Sequence, residues 1–485
     1  PQSSLQKLEK LPPNTTLDIP RPGQTSIPGP DRSRLLLREV LYSVERHYPL
    51  LDAALQQRDI ATGQTMSALG DFDFKVGGSS YGQQGSYDSN RYELGFVQPF
   101  AYQGISVSGR YRKSAGNFPS YYGRRFTGEG GEFGLNFTVP LMRDREIDGR
   151  RAKVRSAELG QDLAEPGIAE KRIGFLRAAS TAYWRWLASA RRYQIAKQLL
   201  EIAEKRDDYL RKREQQGAVA KIEVIDNRRT IVDRRAKLVS FQRRYEQASI
   251  DLSLFLRDPS GKPVRPEALY LAPDFPDPVI PDVEKIDQDV DLALGQRPEL
   301  TTLRLQRQRL QVDLRLAENQ TLPGLFLDLT AEQDIGQGSS TLDRNTYYAG
   351  VILDVPLQRR QAKGKILSTQ ASVAQINAQE RFARDQISAQ VQDVISALTR
   401  AYEVRVRAGQ NVELARVMEQ AEVRKLELGQ SNILFVNLRE LARADAQLQE
   451  VDALTEYFLS LADYYAILGL GGPPEFSPAN PNQKR

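Results

Sequence analysis

Few residues in this 485-residue chain could do covalent or metal chemistry. There is one histidine, His47, and no cysteine. Thiolate nucleophiles, disulfides and most zinc sites are therefore excluded. His47 stands two residues before Pro49, where a proline breaks or kinks a helix. With no second histidine beside it, it reads as structural. No GxxxxGK[ST] or GxGxxG lies between a strand and a helix, so there is no phosphate cradle. Carboxylates are abundant, but they fall on the flanks of heptad-patterned segments, where solvation accounts for them. No catalytic constellation results. The chain reads as a non-enzyme with no metal and no cofactor.

What the residues do encode is a pair of surfaces, and these must be positioned by long regular elements. Charged residues make up 27% of the chain and the net charge is only +5, with both signs interspersed. This pattern speaks for solvated helical faces and against a nucleic-acid footprint. No run of 18 apolar residues exists, so a membrane role would need a β-barrel or a surface association. A chain that opens on Pro1 in place of Met is expected to have lost a leader segment.

The sequence is an internal two-fold repeat. Val139-Pro140-Leu141 and Val355-Pro356-Leu357 each close an alternating, strand-like stretch. Each opens a long helical run, 143–215 and 359–428, that ends at a glycine, Gly217 or Gly429. A second helical run follows each glycine. In the first copy Val224, Ile231, Leu238, Tyr245 and Leu252 recur at seven, with Phe241, Ala248 and Phe255 as a second seam. In the second copy Leu441 and Leu448, and Ala444, Val451, Phe458 and Tyr465, do the same. Such seams imply antiparallel coiled-coil packing.

Residues 71–140 hold 15 of the 37 Phe and Tyr residues and 13 of the 34 glycines, a composition for strands rather than helices. Phe133, Leu135, Phe137 and Val139 alternate with Gly134, Asn136 and Thr138. Leu325, Leu327 and Leu329, then Tyr347, Ala349, Val351 and Leu353, alternate in the second copy. Period 2 with one apolar face is a half-buried strand, or a barrel wall with lipid outside and water inside. The turn Ala101-Tyr102-Gln103-Gly104 adds a hairpin to the first copy, giving four strands there and two in the second. The alternative is that 98–130 form an elaborated loop. Six strands cannot close a membrane barrel alone, so several chains would have to share one.

The segments therefore divide as follows: an extended stretch over 1–30, helices over 31–70, strands over 71–140, and a long helix, turn and return helix over 141–257. A proline-rich linker over 258–282 leads to the second copy. There the helices cover 283–322, the strands 323–357 and the long helical pair 358–470, before a tail over 471–485.

On the two Val-Pro-Leu junctions, Arg297-Pro298-Glu299-Leu300, Leu322-Pro323-Gly324-Leu325 and the glycine turns, the chain resembles the TolC-type outer-membrane factor family over about residues 31–470. The resemblance implies an α+β membrane protein. A homotrimer shares one outer-membrane β-barrel, which continues into the periplasm as a coiled-coil α-barrel. It further implies a passive export duct, for efflux or type I secretion, that meets a periplasmic adaptor protein and an inner-membrane pump. It places the adaptor-docking tip at Gly217, Ala218, Val219, Gly429, Gln430 and Ser431. Where some members carry two aspartates that ring the closed pore, this chain has Phe435 and Leu438, and the matching first-copy positions carry Glu223 and Asp226. The expectation is an apolar constriction with acids on the neighbouring helix. The usual protomer contributes four strands; six would give eighteen in a trimer. Arginines gather where helices meet the barrel (Arg143, Arg145, Arg150, Arg151, Arg359 and Arg360), where snorkelling to anionic headgroups is expected. The competing reading is a soluble or periplasmic coiled-coil scaffold or adaptor without a pore, which would have no use for amphipathic strands at both junctions.

Overall fold

A computed structural model of the chain describes residues 34–118, 126–266, 270, 272–338 and 345–473. The stretch 1–30, most of the tail and parts of the loops at 114–130 and 334–344 lie outside these residues.

Among the described residues three short helices come first: α1 (Leu37–His47), α2 (Pro49–Leu55) and α3 (Gln57–Leu69). Pro49 sits at the first turn of α2, where its missing N–H costs nothing. Four strands follow: β1 (Lys75–Gln83), β2 (Ser89–Pro99), β3 (Ser106–Gly116) and β4 (Glu132–Pro140). Then come the long α4 (Gly149–Gln215) and its return helix α5 (Lys221–Ser253). The second copy supplies α6 (Ile286–Gln296), α7 (Pro298–Asn319), β5 (Gly324–Asp334), β6 (Thr346–Asp354), α8 (Arg360–Glu427) and α9 (Ile433–Ile467).

The first long helix starts six residues later than its periodicity suggests. Asp148 caps it, accepting from the amides of Arg150 at 2.8 Å and Arg151 at 3.0 Å. Residues 141–148 form a connector instead, with Asp144 at φ 68°. The second long helix follows Arg359, which lies at φ 49°. At 1.5 Å per residue, the 67 residues of α4 and 68 of α8 each run roughly 100 Å. Pro166 lies inside α4 without ending it.

Both far ends close alike. Ala218 N–H donates to the Arg213 carbonyl and Gln430 N–H to the Lys425 carbonyl, each at 2.8 Å. Gly217 N–H donates to Glu214 and Gly429 N–H to Leu426. This double bonding pattern needs a left-handed residue at the glycine, and Gly217 and Gly429 have φ 71° and 73°.

The sheet is fully antiparallel in the order β1-β2-β3-β4-β5-β6. The segment around 98–113 is a strand hairpin, not a loop. Its turn residue Gly104 packs so closely on the β4–α4 connector that an added Cβ would lie 2.5 Å from the Asp144 carbonyl.

Helices pack as α4 with α5, α8 with α9, α4 with α9, and, nearer the sheet, α3 with α4, α4 with α7, and α7 with α8. The main core lies midway along the helices. Trp184 of α4 stacks on Phe458 of α9 with ring centroids 4.2 Å apart. Trp186 donates to Ser249 of α5 at 3.1 Å, and Tyr183 to the Leu35 carbonyl at 3.0 Å. The linker is strapped to this core: Tyr457 Oη accepts from Val279 N–H at 3.0 Å and donates to the Val279 carbonyl at 2.8 Å.

Candidate functional site: a two-faced sheet and the helical tip

The strand register sorts the sheet's side chains into two faces, since neighbours across a strand pair share a face. One face carries Tyr92, Leu94 and Phe96 of β2, Val107 and Tyr111 of β3, Phe133, Leu135, Phe137 and Val139 of β4, Leu325, Leu327 and Leu329 of β5, and Tyr347, Val351 and Leu353 of β6. On it Tyr111 and Phe133 lie with centroids 4.9 Å apart. Phe96 covers Gly109, where any Cβ would collide with the ring.

The other face is charged. Arg112 of β3 donates to Glu132 of β4 at 2.7 Å. Arg110 pairs with Glu332 of β5 and lies 3.7 Å from Glu132. Arg91 and Glu93 of β2 are 3.5 Å apart. Asn136 donates to Asp328 and, at 2.8 Å, to Thr330. Facing water, these ion pairs cost little; facing hydrocarbon, each cation would cost about 2–4 kcal/mol at mid-depth.

Both junctions lie at one end of this sheet. Val139 and Pro140 finish β4 and pair with Leu327 and Phe326, and Leu141 N–H donates to the Leu325 carbonyl at 2.7 Å. Val355, Pro356 and Leu357 follow β6, with Leu357 almost fully exposed. The junction arginines do not act alike. Arg143 reaches Asp354 at 2.8 Å and its guanidinium lies 5.9 Å from the centroid of the Phe326 ring, so it ties β6 and β5 to the first junction. Arg151 bonds the Asp148 carboxylate at 2.7 Å and the carbonyls of Asp144, Arg145 and Glu146. Arg145, Arg150 and Arg360 are exposed, and Arg359 is half-buried. Arg143 and Arg151 are thus held by carboxylates and carbonyls of the fold. His47 closes α1, half-buried.

At the tip, Gly217, Ala218, Gly429 and Gln430 are exposed, and Val219 and Ser431 are half-buried. Ser431 donates to Glu422 at 2.5 Å. Phe435 and Leu438, one helical turn apart on α9, are 52% and 51% exposed in the single chain. Glu223 and Asp226 are exposed on α5. Asp226 lies 3.7 Å from Arg229 of its own helix, and among the described residues no hydrogen bond or ion pair joins either acid to α9.

The sequence reading missed a buried polar core just above the tip. Arg206 of α4 and Arg234 of α5 share Glu440 of α9: Arg206 meets one carboxylate oxygen, and Arg234 the other at 2.9 Å. Arg206 also meets Asn437, and Arg234 the Leu199 carbonyl at 2.6 Å. Arg234 and Glu440 are 2% and 4% exposed. Burial, then the like charge of Arg206, pulls the Arg234 guanidinium down to about 10; burial also lowers that of Arg206. Asn227 of α5 donates to Asp207 at 3.3 Å and to the Ala203 carbonyl at 3.2 Å. A signal existed. Extending the seam Phe241, Ala248, Phe255 backward by seven lands on Arg234 and then Asn227, and Ala444 leads back to Asn437. Polar residues at core heptad positions specify packing.

Residues 105–256 match the outer membrane efflux protein family. No curated protein sequence matches the chain. Solved structures do. The outer-membrane channel OprN is similar at 16% identity and TM-score 0.64, over 91% of this chain and 94% of that one. VceC, an outer membrane protein of Vibrio cholerae, is similar at 17% identity and TM-score 0.65, over 89% of this chain and 96% of that one. The CmeC outer membrane channel of Campylobacter jejuni follows at 14% identity and TM-score 0.63, over 90% and 86%. Residues 105–256 are thus similar to the outer membrane efflux protein family, and the described residues share the fold of these outer-membrane channels.

Proposed function

We propose that three copies of this chain close one barrel in the bacterial outer membrane and one α-helical tunnel in the periplasm. The assembly is a passive export duct, fed by an inner-membrane pump through a periplasmic adaptor. The observation that carries this reading is the sheet with one apolar and one charged face, joined at Pro140 and Pro356 to two helices each about 100 Å long. Nine-residue strands tilted by about 35° rise roughly 25 Å, the height of the apolar band of outer-membrane barrels. The apolar face then meets lipid, and the Arg110–Glu332 and Arg112–Glu132 pairs line water. Three copies supply eighteen strands, within the range of bacterial barrels.

In this reading the exposed tip turns, Gly217-Ala218-Val219 and Gly429-Gln430-Ser431, present the adaptor surface. Phe435 and Leu438 form an apolar constriction, with Glu223 and Asp226 on the next helix lending it acidic character. Arg145, Arg150, Arg359 and Arg360 contact headgroups at the inner leaflet.

Extraction tests the proposal. The protein should need detergent to leave membranes and should run as a heat-sensitive trimer. Reconstituted into bilayers, it should conduct ions. A soluble, monomeric, non-conducting product would overturn the reading.

A further inference from the structure

Among the described residues the sheet ends on two open edges, β1 and β6. Each is nine residues long, and every residue of both is exposed. One side of each strand thus presents unpaired N–H and C=O groups, which hydrocarbon does not tolerate. Strand direction alternates through the six, so β6 of one copy meets β1 of the next antiparallel. Such a head-to-tail contact forms a ring when its rotation closes.

The register of that contact is constrained. Following cross-strand partners, Lys75 lies level with Val97, Ser108, Asn136, Thr330 and Tyr348. All six belong to the charged face, so Tyr348 must meet a charged-face residue of the next β1: Ser79, Tyr81 or Gln83. Slips of one residue would turn a strand inside out. The three choices make each six-stranded unit climb by four, six or eight residues. With a rise of 3.4 Å and strands 4.8 Å apart, they give tilts of about 25°, 35° and 43°. Membrane barrels tilt by about 35–45°, which removes Ser79. Gln83 would set Lys75 and Val76 against Pro356 and Val355, where proline has no N–H to give, and would strand the far end of β6.

Tyr81 pairs all nine residues with all nine. It sets Lys75 opposite Asp354, at the end of the sheet where the helices begin. Asp354 is 61% exposed at its side chain and gives only Oδ2 to Arg143, at 2.8 Å. It also sets small residues opposite large ones: Gly77 with Ile352, Gly78 with Val351, and Gly82 with Tyr347.

We infer that β1 and β6 join neighbouring copies in this single register, with Lys75 and Asp354 as an ionic latch at its periplasmic end. The inference rests on the reading of the chain as one subunit of a shared barrel.

The chain has no cysteine, so introduced pairs report without background. Ser80→Cys with Ala349→Cys are directly opposite in this register. Ser80→Cys with Val351→Cys, or with Tyr347→Cys, match the two slipped registers. After oxidation in membranes, Ser80→Cys/Ala349→Cys should give at least tenfold more covalent multimer on denaturing gels than either slipped pair. A slipped pair that links better overturns the register and leaves the shared barrel standing. No link from any pair, in a protein that light scattering in detergent shows to be trimeric, overturns the seam. A monomer by light scattering overturns the channel reading itself. Lys75→Glu should lower the temperature at which the assembly dissociates, and Lys75→Glu with Asp354→Lys should recover at least half of the loss. No loss from the single change removes the latch.

Discussion

Arg234 of α5 donates to Glu440 of α9 at 2.9 Å across 206 residues of sequence, and both side chains are almost wholly withdrawn from water. Because Arg206 takes the other oxygen of Glu440, one carboxylate holds three helices together just above the tip. Removing it leaves two buried guanidinium groups facing each other. Glu440→Ala should therefore cost about 3–5 kcal/mol. The loss should appear as faster hydrogen exchange in the tip-proximal parts of α4, α5 and α9. Replacing the whole set with apolar residues (Arg206→Met, Arg234→Met, Glu440→Leu) should be neutral or stabilising, because the desolvation cost disappears with the charges. A single change costing under about 1 kcal/mol would show that water reaches this site.

The two tip glycines offer a cleaner measurement than most. Nothing lies within 4 Å of a Cβ added at Gly217 or Gly429, so alanine there meets only backbone strain at positive φ. Each change should cost about 1 kcal/mol without disturbing assembly. Gly104→Ala adds a collision with the Asp144 carbonyl at 2.5 Å to the same kind of strain. Its melting temperature should fall further than that of either tip variant.

Phe435 and Leu438 bear on conduction. If they narrow the resting pore, Phe435→Ala and Leu438→Ala should each raise closed-state current in planar bilayers, and the double variant more than either. Unchanged leakage would place the constriction elsewhere.

Burial raises the phenols of Tyr183 and Tyr464 above the ordinary tyrosine value; for Tyr464 the Asp289 carboxylate, 2.7 Å away, adds to the effect. The folded form holds these protons after the unfolded chain has begun to lose them near pH 10. Their contribution is therefore complete below pH 10 and declines as pH rises beyond it. Thermal melts of detergent-solubilised protein should fall between pH 9.5 and 11. Tyr183→Phe with Tyr464→Phe should flatten that slope while lowering stability at neutral pH, because the Leu35 carbonyl and Asp289 lose a donor.

Among the junction arginines, Arg145→Gln, Arg150→Gln and Arg360→Gln together should reduce binding to anionic vesicles with little effect on melting. Arg143→Gln should lower the melting temperature instead, since Asp354 and the Phe326 ring lose their cation. Identical behaviour of the two sets would contradict this division.

The legible parts of the fold were those with a fixed period. Alternation from Phe133 to Val139 marks a strand because successive side chains point to opposite faces whatever the context. The seam from Val224 to Leu252 marks a packed helix for the matching reason. Boundaries were harder. Helical residue types continue through Arg143–Glu146, yet the close approach of Gly104 and the left-handed Asp144 keep that stretch out of α4. The polar core escaped because a charge on a long helix is ordinarily solvated, and only the third helix, brought in by α9, buries Arg234. The pairing of Arg143 with Asp354 was hidden for a similar reason, since 211 residues separate them.

The β2–β3 hairpin has a geometric consequence for the bore. Beside the sheet, each chain presents four helices in cross-section, α3, α4, α7 and α8. At 8–10 Å between axes they occupy roughly 32–40 Å of circumference. Four strands tilted by about 35° would cover only about 23 Å, and the wall would step inward at the prolines. Six cover about 35 Å. In the proposed trimer the extra hairpin would bring the two walls flush, and such a pipe would run from tip to outer surface without a shoulder on which a large cargo could lodge.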